Sequence, residues 1–200
     1  MPSLRILTRT AIISGVAGVA LLIGLAGCSS AGGAGAAAHT TSAETNPLGD
    51  IPDNQTFVTY SPAGSPYSIS VPEGWAQSTS GTAATFTDKL NSAQFQSKQA
   101  SSAPTVATVN SDLVPALSAR QPGFALTDVT EFTRKGGSGV LIRYEQDAPA
   151  NAVTGTGHRQ AVEDYLFWKN GNEVDVVLVS PVGADNVDPW KLITDSFQWK

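Results

Sequence analysis

Apolar side chains are distributed unevenly along this chain. Residues 11–26 are apolar or small without a break, Ser29 to Asn54 carries few large apolar side chains, and from residue 55 onward apolar residues return in short periodic runs. Runs 56–61 and 67–71 predict two short strands separated by Pro62-Ala63-Gly64-Ser65-Pro66. Tyr67, Ile69 and Val71 share one face of the second. Pro72-Glu73-Gly74 then turns the chain into Trp75, and 84–87 and 93–97 read as weaker strands. Val106, Val109, Leu113, Ala116 and Leu117 recur at helical spacing, predicting a helix over 105–120. Pro115 lacks an N–H and kinks or divides that helix, and Pro122-Gly123 stops it.

The second half is more regular. Residues 125–134 form a strand, followed by a loose turn at Lys135-Gly136-Gly137-Ser138-Gly139. Along 140–147 the alternation is clear: Val140, Ile142 and Tyr144 point one way, and Leu141, Arg143, Glu145 and Asp147 the other. Runs 158–169 and 173–180 flank Asn170-Gly171, a hairpin signal because both residues tolerate positive φ. Asp188-Pro189 reads as an N-cap followed by proline at the first helical position, after which Trp190, Ile193 and Phe197 line one helical face. The fold class expected is α+β, with a mostly antiparallel sheet of five to seven strands packed against helices.

The beginning of the chain reads as an address. Residues 1–27 contain Arg5 and Arg9 and no acid, and the apolar core from Ala11 to Ala26 has about 16 residues. Spanning a bilayer takes roughly 20, so a secretory signal explains the segment better than a permanent span. Leu25-Ala26-Gly27-Cys28 matches the bacterial lipobox, with cleavage between Gly27 and Cys28 and a lipid on the Cys28 thiol. An ordinary secreted protein would leave this one cysteine as an exposed free thiol in an oxidising compartment. Two acyl chains suffice for stable anchoring. Three segments follow: a signal peptide at 1–27, a lipidated cysteine and flexible Ser/Ala/Gly/Thr tether at 28–54, and one globular domain at 55–200. A flexible tether of ~25 residues reaches about 25–30 Å. The expected location is the extracytoplasmic face of the cell membrane, and the expected partner there is the bilayer, through acylated Cys28.

Charge narrows the function classes. The chain carries 12 Lys+Arg against 17 Asp+Glu, and removing residues 1–27 moves its net charge from −5 to −7. That balance argues against a nucleic-acid groove, and one cysteine excludes zinc sites built from several thiolates. His39 lies in the tether. His158, in Thr154-Gly155-Thr156-Gly157-His158-Arg159, reads as a strand-end residue; as a base it would need a nearby serine and carboxylate. No Gly-x-Ser-x-Gly elbow is present, and Gly155-x-Gly157 lacks the third glycine of a nucleotide loop. Glu145 and Asp147 share a strand face and can bind a cation or pair with Arg143. Asp185-Asn186-Val187-Asp188 resembles half of a calcium loop, although helix capping explains Asp188 more simply. No catalytic residue, metal or cofactor is assigned.

Several motifs occur in a recognisable order: Tyr67-Ser68-Ile69-Ser70-Val71-Pro72-Glu73-Gly74-Trp75, Thr85-Phe86-Thr87-Asp88, the glycine-turn hairpin with the strand Val140 to Tyr144, and Asp195-Ser196-Phe197-Gln198-Trp199. This order resembles the PsbP-like fold and is similar to actinobacterial lipoproteins of the LpqN kind. The resemblance implies a compact sandwich used as a binding or assembly module, without catalysis, in which Pro72, Gly74, Trp75, Ser196 and Phe197 serve folding. The function expected is therefore a membrane-anchored, non-catalytic interaction or assembly module of the cell envelope, with an envelope membrane protein or lipid as partner. The alternative is a binder of a small molecule or envelope lipid in a cleft between sheet and helices, lined by Tyr144, Tyr165, Phe167 and Trp168.

Overall fold

The computed structural model describes residues 49–150 and 157–200. Cys28, Gly27, His39 and the turn residues Thr154, Gly155 and Thr156 lie outside them. Seven strands form one antiparallel sheet in the order β3-β4-β5-β9-β8-β7-β6. They are β3 (Ala76–Ser80), β4 (Ala83–Asp88), β5 (Asn91–Gln99), β6 (Ala125–Arg134), β7 (Gly137–Asp147), β8 (Arg159–Lys169) and β9 (Asn172–Pro181). A second sheet, in the order β1-β2-β10, joins β1 (Phe57–Tyr60), β2 (Tyr67–Pro72) and the C-terminal β10 (Gln198–Trp199). The helices are α1 (Val106–Thr108), α2 (Val114–Arg120) and α3 (Val187–Asp195). The α+β class and the mostly antiparallel seven-stranded sheet match the sequence reading; the small second sheet was not foreseen.

Local chemistry explains most of the elements. Asn170 and Gly171 both adopt positive φ, 51° and 82°, as a two-residue hairpin with right-twisted strands requires. Thr105 caps α1 reciprocally: its hydroxyl accepts from the Thr108 N–H at 3.1 Å, and the Thr108 hydroxyl accepts from the Thr105 N–H at 3.0 Å. Pro115 divides the helix as expected, by widening rather than kinking. Between α1 and α2 the chain forms a π-helical turn, Val109–Leu113, and the Val114 N–H reaches back to the Val109 carbonyl. The expected loose turn at 135–139 is shorter, because β7 already begins at Gly137. Gly139 then sits inside the sheet, where a Cβ would run into the Leu166 carbonyl and the Phe132 ring.

Strand alternation gives the large sheet two buried faces. On one, Phe86, Phe95, Phe132, Leu141, Tyr165, Phe167, Val176 and Leu178 pack against β2 and α3, with Tyr67, Ile69, Trp190, Ile193 and Phe197 closing the core. Trp75 belongs here as well, edge-on to Trp190 at 6.4 Å. On the other face, Val140, Ile142, Tyr144, Val162 and Leu166 are covered by Val109 and Leu117 of the helical segment.

Two sequence expectations are corrected. Among the described residues, 49–54 pack with the domain and do not belong to the tether. Ile51 is only 5% exposed, its N–H donates to Asn186 Oδ1 at 2.8 Å, and the Gly49 carbonyl accepts from Asn91 and Asn186. A single isoleucine among polar residues is too faint a compositional signal to reveal this. Secondly, α3 starts at Val187 with Asn186 at the N-cap, placing Asp188 inside the first turn. The Asn186 side chain does not cap the helix, because its amide oxygen and nitrogen are engaged by Ile51, Gly49 and Asn91. Replacing this buried asparagine with alanine leaves the Ile51 N–H and Asn91 Oδ1 unpaired, while the Gly49 carbonyl keeps Asn91, and is expected to cost about 1–3 kcal/mol. Hydrogen exchange checks it: the Ile51 amide should lose protection in Asn186→Ala before the β8 and β9 amides do.

Candidate functional site

A polar cleft lies where α3 crosses the first face of the sheet. Its volume is about 240 Å³. β6 contributes Arg134, β7 Arg143, and β8 Glu163 and Tyr165; α3 contributes Val187, Trp190 and Lys191; Ser180 and Asn186 complete the polar lining. Register explains the convergence. Asp128, Arg143 and Glu163 lie opposite one another across β6, β7 and β8, and Tyr165 follows Glu163 by two on the same face.

These groups form a continuous network. Arg143 donates from Nε to Glu163 Oε1 at 3.1 Å and from its guanidinium NH1 to Asp128 Oδ2 at 3.1 Å. The Tyr165 hydroxyl donates to Glu163 Oε2 at 2.6 Å and accepts from Arg134 at 3.2 Å. Arg134 also donates from Nε to Thr194 Oγ1 at 2.9 Å and approaches Asp195 at 3.7 Å, while Asp195 is further ion-paired with Lys191. Burial, reinforced by the neighbouring Glu163, holds the Tyr165 phenol above its ordinary pKa, so it remains protonated. Burial alone would depress Arg143, but Glu163 and Asp128 outweigh it and raise its pKa.

The opposite face carries a different charge cluster. Asp164 sits between Val162 and Leu166 on the face covered by the helical segment, and it is 6% exposed. Its Oδ1 has no hydrogen-bond partner, nor does Oδ1 of the nearby Asp175. Burial pushes the Asp164 carboxyl up to about 8, with Asp175 adding to the rise. Burial also raises Asp175, to about 6, against the opposing pull of Lys98. Lys98 binds Glu173 at 2.8 Å and Asp175 at 2.9 Å.

The structure distributes the residues singled out in the sequence as follows. Tyr144, Tyr165, Phe167 and Trp168 do not share one cleft. Alternation sends Tyr165 and Phe167 to the first face and Tyr144 and Trp168 to the second. Only Tyr165 lines the cleft beside α3; Phe167 is fully buried between Phe132 and Phe197, and Tyr144 packs on Phe124. Trp168 borders a separate open groove of about 550 Å³ and donates to the Ala100 carbonyl at 3.0 Å. Glu145 and Asp147 both bind Arg159, at 3.1 and 2.9 Å, because Arg143 is held by Glu163 and Asp128 instead. The loop 185–188 works as a clamp: the Asp185 N–H donates to Asp50 at 2.8 Å, and Asn186 holds Ile51. Among the described residues, no cluster of three or more His, Cys, Asp or Glu is placed to hold a metal ion. His158 is half-buried just before β8, and its Nε2 has no hydrogen-bond partner.

Sequence reasoning missed Arg134 and Lys191, which stand far apart in the chain, and noticed Asn186 only as part of the acidic loop before α3. It also missed Asp164, although an acid at the same parity as Val162 and Leu166 was a readable signal.

No family model and no curated protein matches the chain. Solved structures do resemble it. Cyanobacterial PsbP from Synechocystis sp. PCC 6803 aligns with a TM-score of 0.49 at 14% identity, over 78% of this chain and 100% of that one. LpqN of Mycobacterium tuberculosis, described as involved in cell envelope biogenesis, aligns with a TM-score of 0.38 at 14% identity, over 73% of this chain and 85% of its own. A protein from Bacteroides thetaiotaomicron VPI-5482 aligns with a TM-score of 0.46 at 9% identity over 71% of this chain, which spans about half (48%) of that protein's length.

Proposed function

We propose that this chain is a lipoprotein of the extracytoplasmic membrane face, whose domain acts as a non-catalytic interaction or assembly module of the cell envelope. The observation that carries the reading is Leu25-Ala26-Gly27-Cys28 at the end of an apolar core, followed by a small-residue tether and then one folded unit. Among the described residues no helix is long and apolar enough to cross a membrane, and two acyl chains on Cys28 suffice for stable attachment. Fractionation tests this. The wild type should pellet with membranes, resist high salt and dissolve in detergent, whereas Cys28→Ala should lose membrane retention. Crosslinking in intact cells should then join the wild-type domain to an envelope component, and the soluble variant should lose that product. An equal distribution of the two proteins would contradict the proposal.

A second reading, small-molecule binding, is favoured by the cleft beside α3. At about 240 Å³ it lies below the roughly 300–1,000 Å³ of sites for drug-sized ligands, which suits a small polar group better than an acyl chain. Native mass spectrometry of the intact protein should show a stoichiometric adduct of low mass; a bare protein mass would weigh against this reading.

A further inference from the structure

We propose that the cleft beside α3 binds a phosphate group, through Arg143, Lys191 and Arg134. The proposal rests on the small-molecule reading of this cleft and specifies its ligand.

The first argument is where the charge lies. Ten lysines and arginines follow residue 27 in a chain of net negative charge, and three of them meet around this one cleft. They come from β6, β7 and α3, so no single element's amphipathicity brings them together. Glu163 is the one carboxylate lining the cleft, and both of its oxygens are taken, by Arg143 and by the Tyr165 hydroxyl. Glu163, Asp128 and Asp195 balance the three cations in number, but Asp128 and Asp195 stand outside the lining, so the cleft wall itself carries three cations and one carboxylate.

The second argument is unused donor capacity. Arg143 has five N–H donors, and its hydrogen bonds run from Nε to Glu163 and from NH1 to Asp128. Lys191 has three and holds Asp195 alone. Arg134 is fixed from behind by Thr194 and Tyr165, which preorganises its charge. Donors arriving from several directions suit a tetrahedral oxyanion, whose oxygens accept from all sides, better than a planar carboxylate. The third argument is the end of α3. Its Asn186 side chain makes no capping hydrogen bond and Val187 stands at the rim of the cleft, although Asp188 in the first turn offsets part of the positive pole of this nine-residue helix. Val187, 72% exposed at the rim, offers an apolar surface for the carbon skeleton bearing the phosphate.

The test titrates the full chain, in non-ionic detergent micelles, with inorganic phosphate against chloride at constant ionic strength, followed by calorimetry. Saturable binding to phosphate alone is expected, with a matching rise in Tm. Arg143→Gln and Lys191→Gln should each weaken it at least tenfold, and Glu163→Gln, which removes the one repelling charge, should tighten it several-fold. Micelles doped with phosphatidic acid separate the sources. A lowered apparent affinity for inorganic phosphate marks a lipid headgroup as the occupant, and an unchanged one marks a free phosphate compound. Wild type that responds to phosphate as it does to chloride, or a Glu163→Gln protein that binds no better, overturns the proposal. A neutral adduct seen by native mass spectrometry and retained in Arg143→Gln would leave the cleft a binding site while removing phosphate as its ligand.

Discussion

Asp164→Asn is expected to be more stable than the wild type at pH 8, with the advantage fading as the pH falls to 5. The cause is burial. The carboxyl lies under the helical segment between Val162 and Leu166, with no donor to its Oδ1, and its pKa is pushed up to about 8 from an ordinary 3.8. A folded state that binds a proton more tightly than the unfolded chain is favoured by acid. The contribution is complete below the unfolded pKa and is lost progressively as the pH rises toward the folded one. Each unit between the two values is worth about 1.4 kcal/mol, so the loss by pH 8 is on the order of 5 kcal/mol. Asp175, raised to about 6, adds to the same trend up to that pH, and its neighbour Lys98 stays charged throughout because Glu173 and Asp175 raise its pKa. The domain should therefore depart from ordinary acid denaturation, gaining stability between pH 8 and pH 5. Urea unfolding of wild type and Asp164→Asn at both values checks this. Parallel curves at both would show that Asp164 is charged in the fold or reached by water.

Phe197→Ala is expected to cost about 3–5 kcal/mol, the range for deleting a buried aromatic ring. Phe197 is completely buried and stacks on Phe167 at 4.1 Å between ring centres. It also lies near-parallel to Tyr67 at 5.9 Å and meets Trp199 edge-on at 5.1 Å. This one ring thus joins the large sheet, through Phe167, to β2 and β10 of the small one. The loss should appear in two ways: thermal unfolding at a lower temperature, and early hydrogen exchange at the Ser68 amide, which lies opposite Gln198 of β10. Phe197→Leu, which keeps most of the apolar volume, should recover over half of the loss.

What could be read from the sequence followed from burial on one side of a regular element. Val140, Ile142 and Tyr144 alternate with Leu141 and Arg143 because the two faces of β7 meet different cores. Asn170-Gly171 announces its hairpin through backbone sterics alone. β3 escaped notice because all five of its residues, Ala76 to Ser80, are exposed, leaving no alternation to detect. The π-helical turn was legible only as a disturbance at Pro115. The cleft was legible in one residue, Tyr165, since Arg134, Arg143 and Lys191 are brought together by pairing partners that periodicity does not reveal. Of the four aromatics expected to line a cleft, the sheet separates two from two: Trp168 has the opposite parity to Tyr165 and Phe167 on β8, and Tyr144 of β7 pairs with Val162, on Trp168's face.

The account stands or falls on Cys28. Metabolic labelling with an alkyne fatty acid, followed by mass spectrometry of the mature N-terminus, tests it most directly. The account predicts a labelled chain that begins at Cys28 and an unlabelled Cys28→Ala protein. A mature chain that takes up no fatty acid and is recovered in the medium would contradict it.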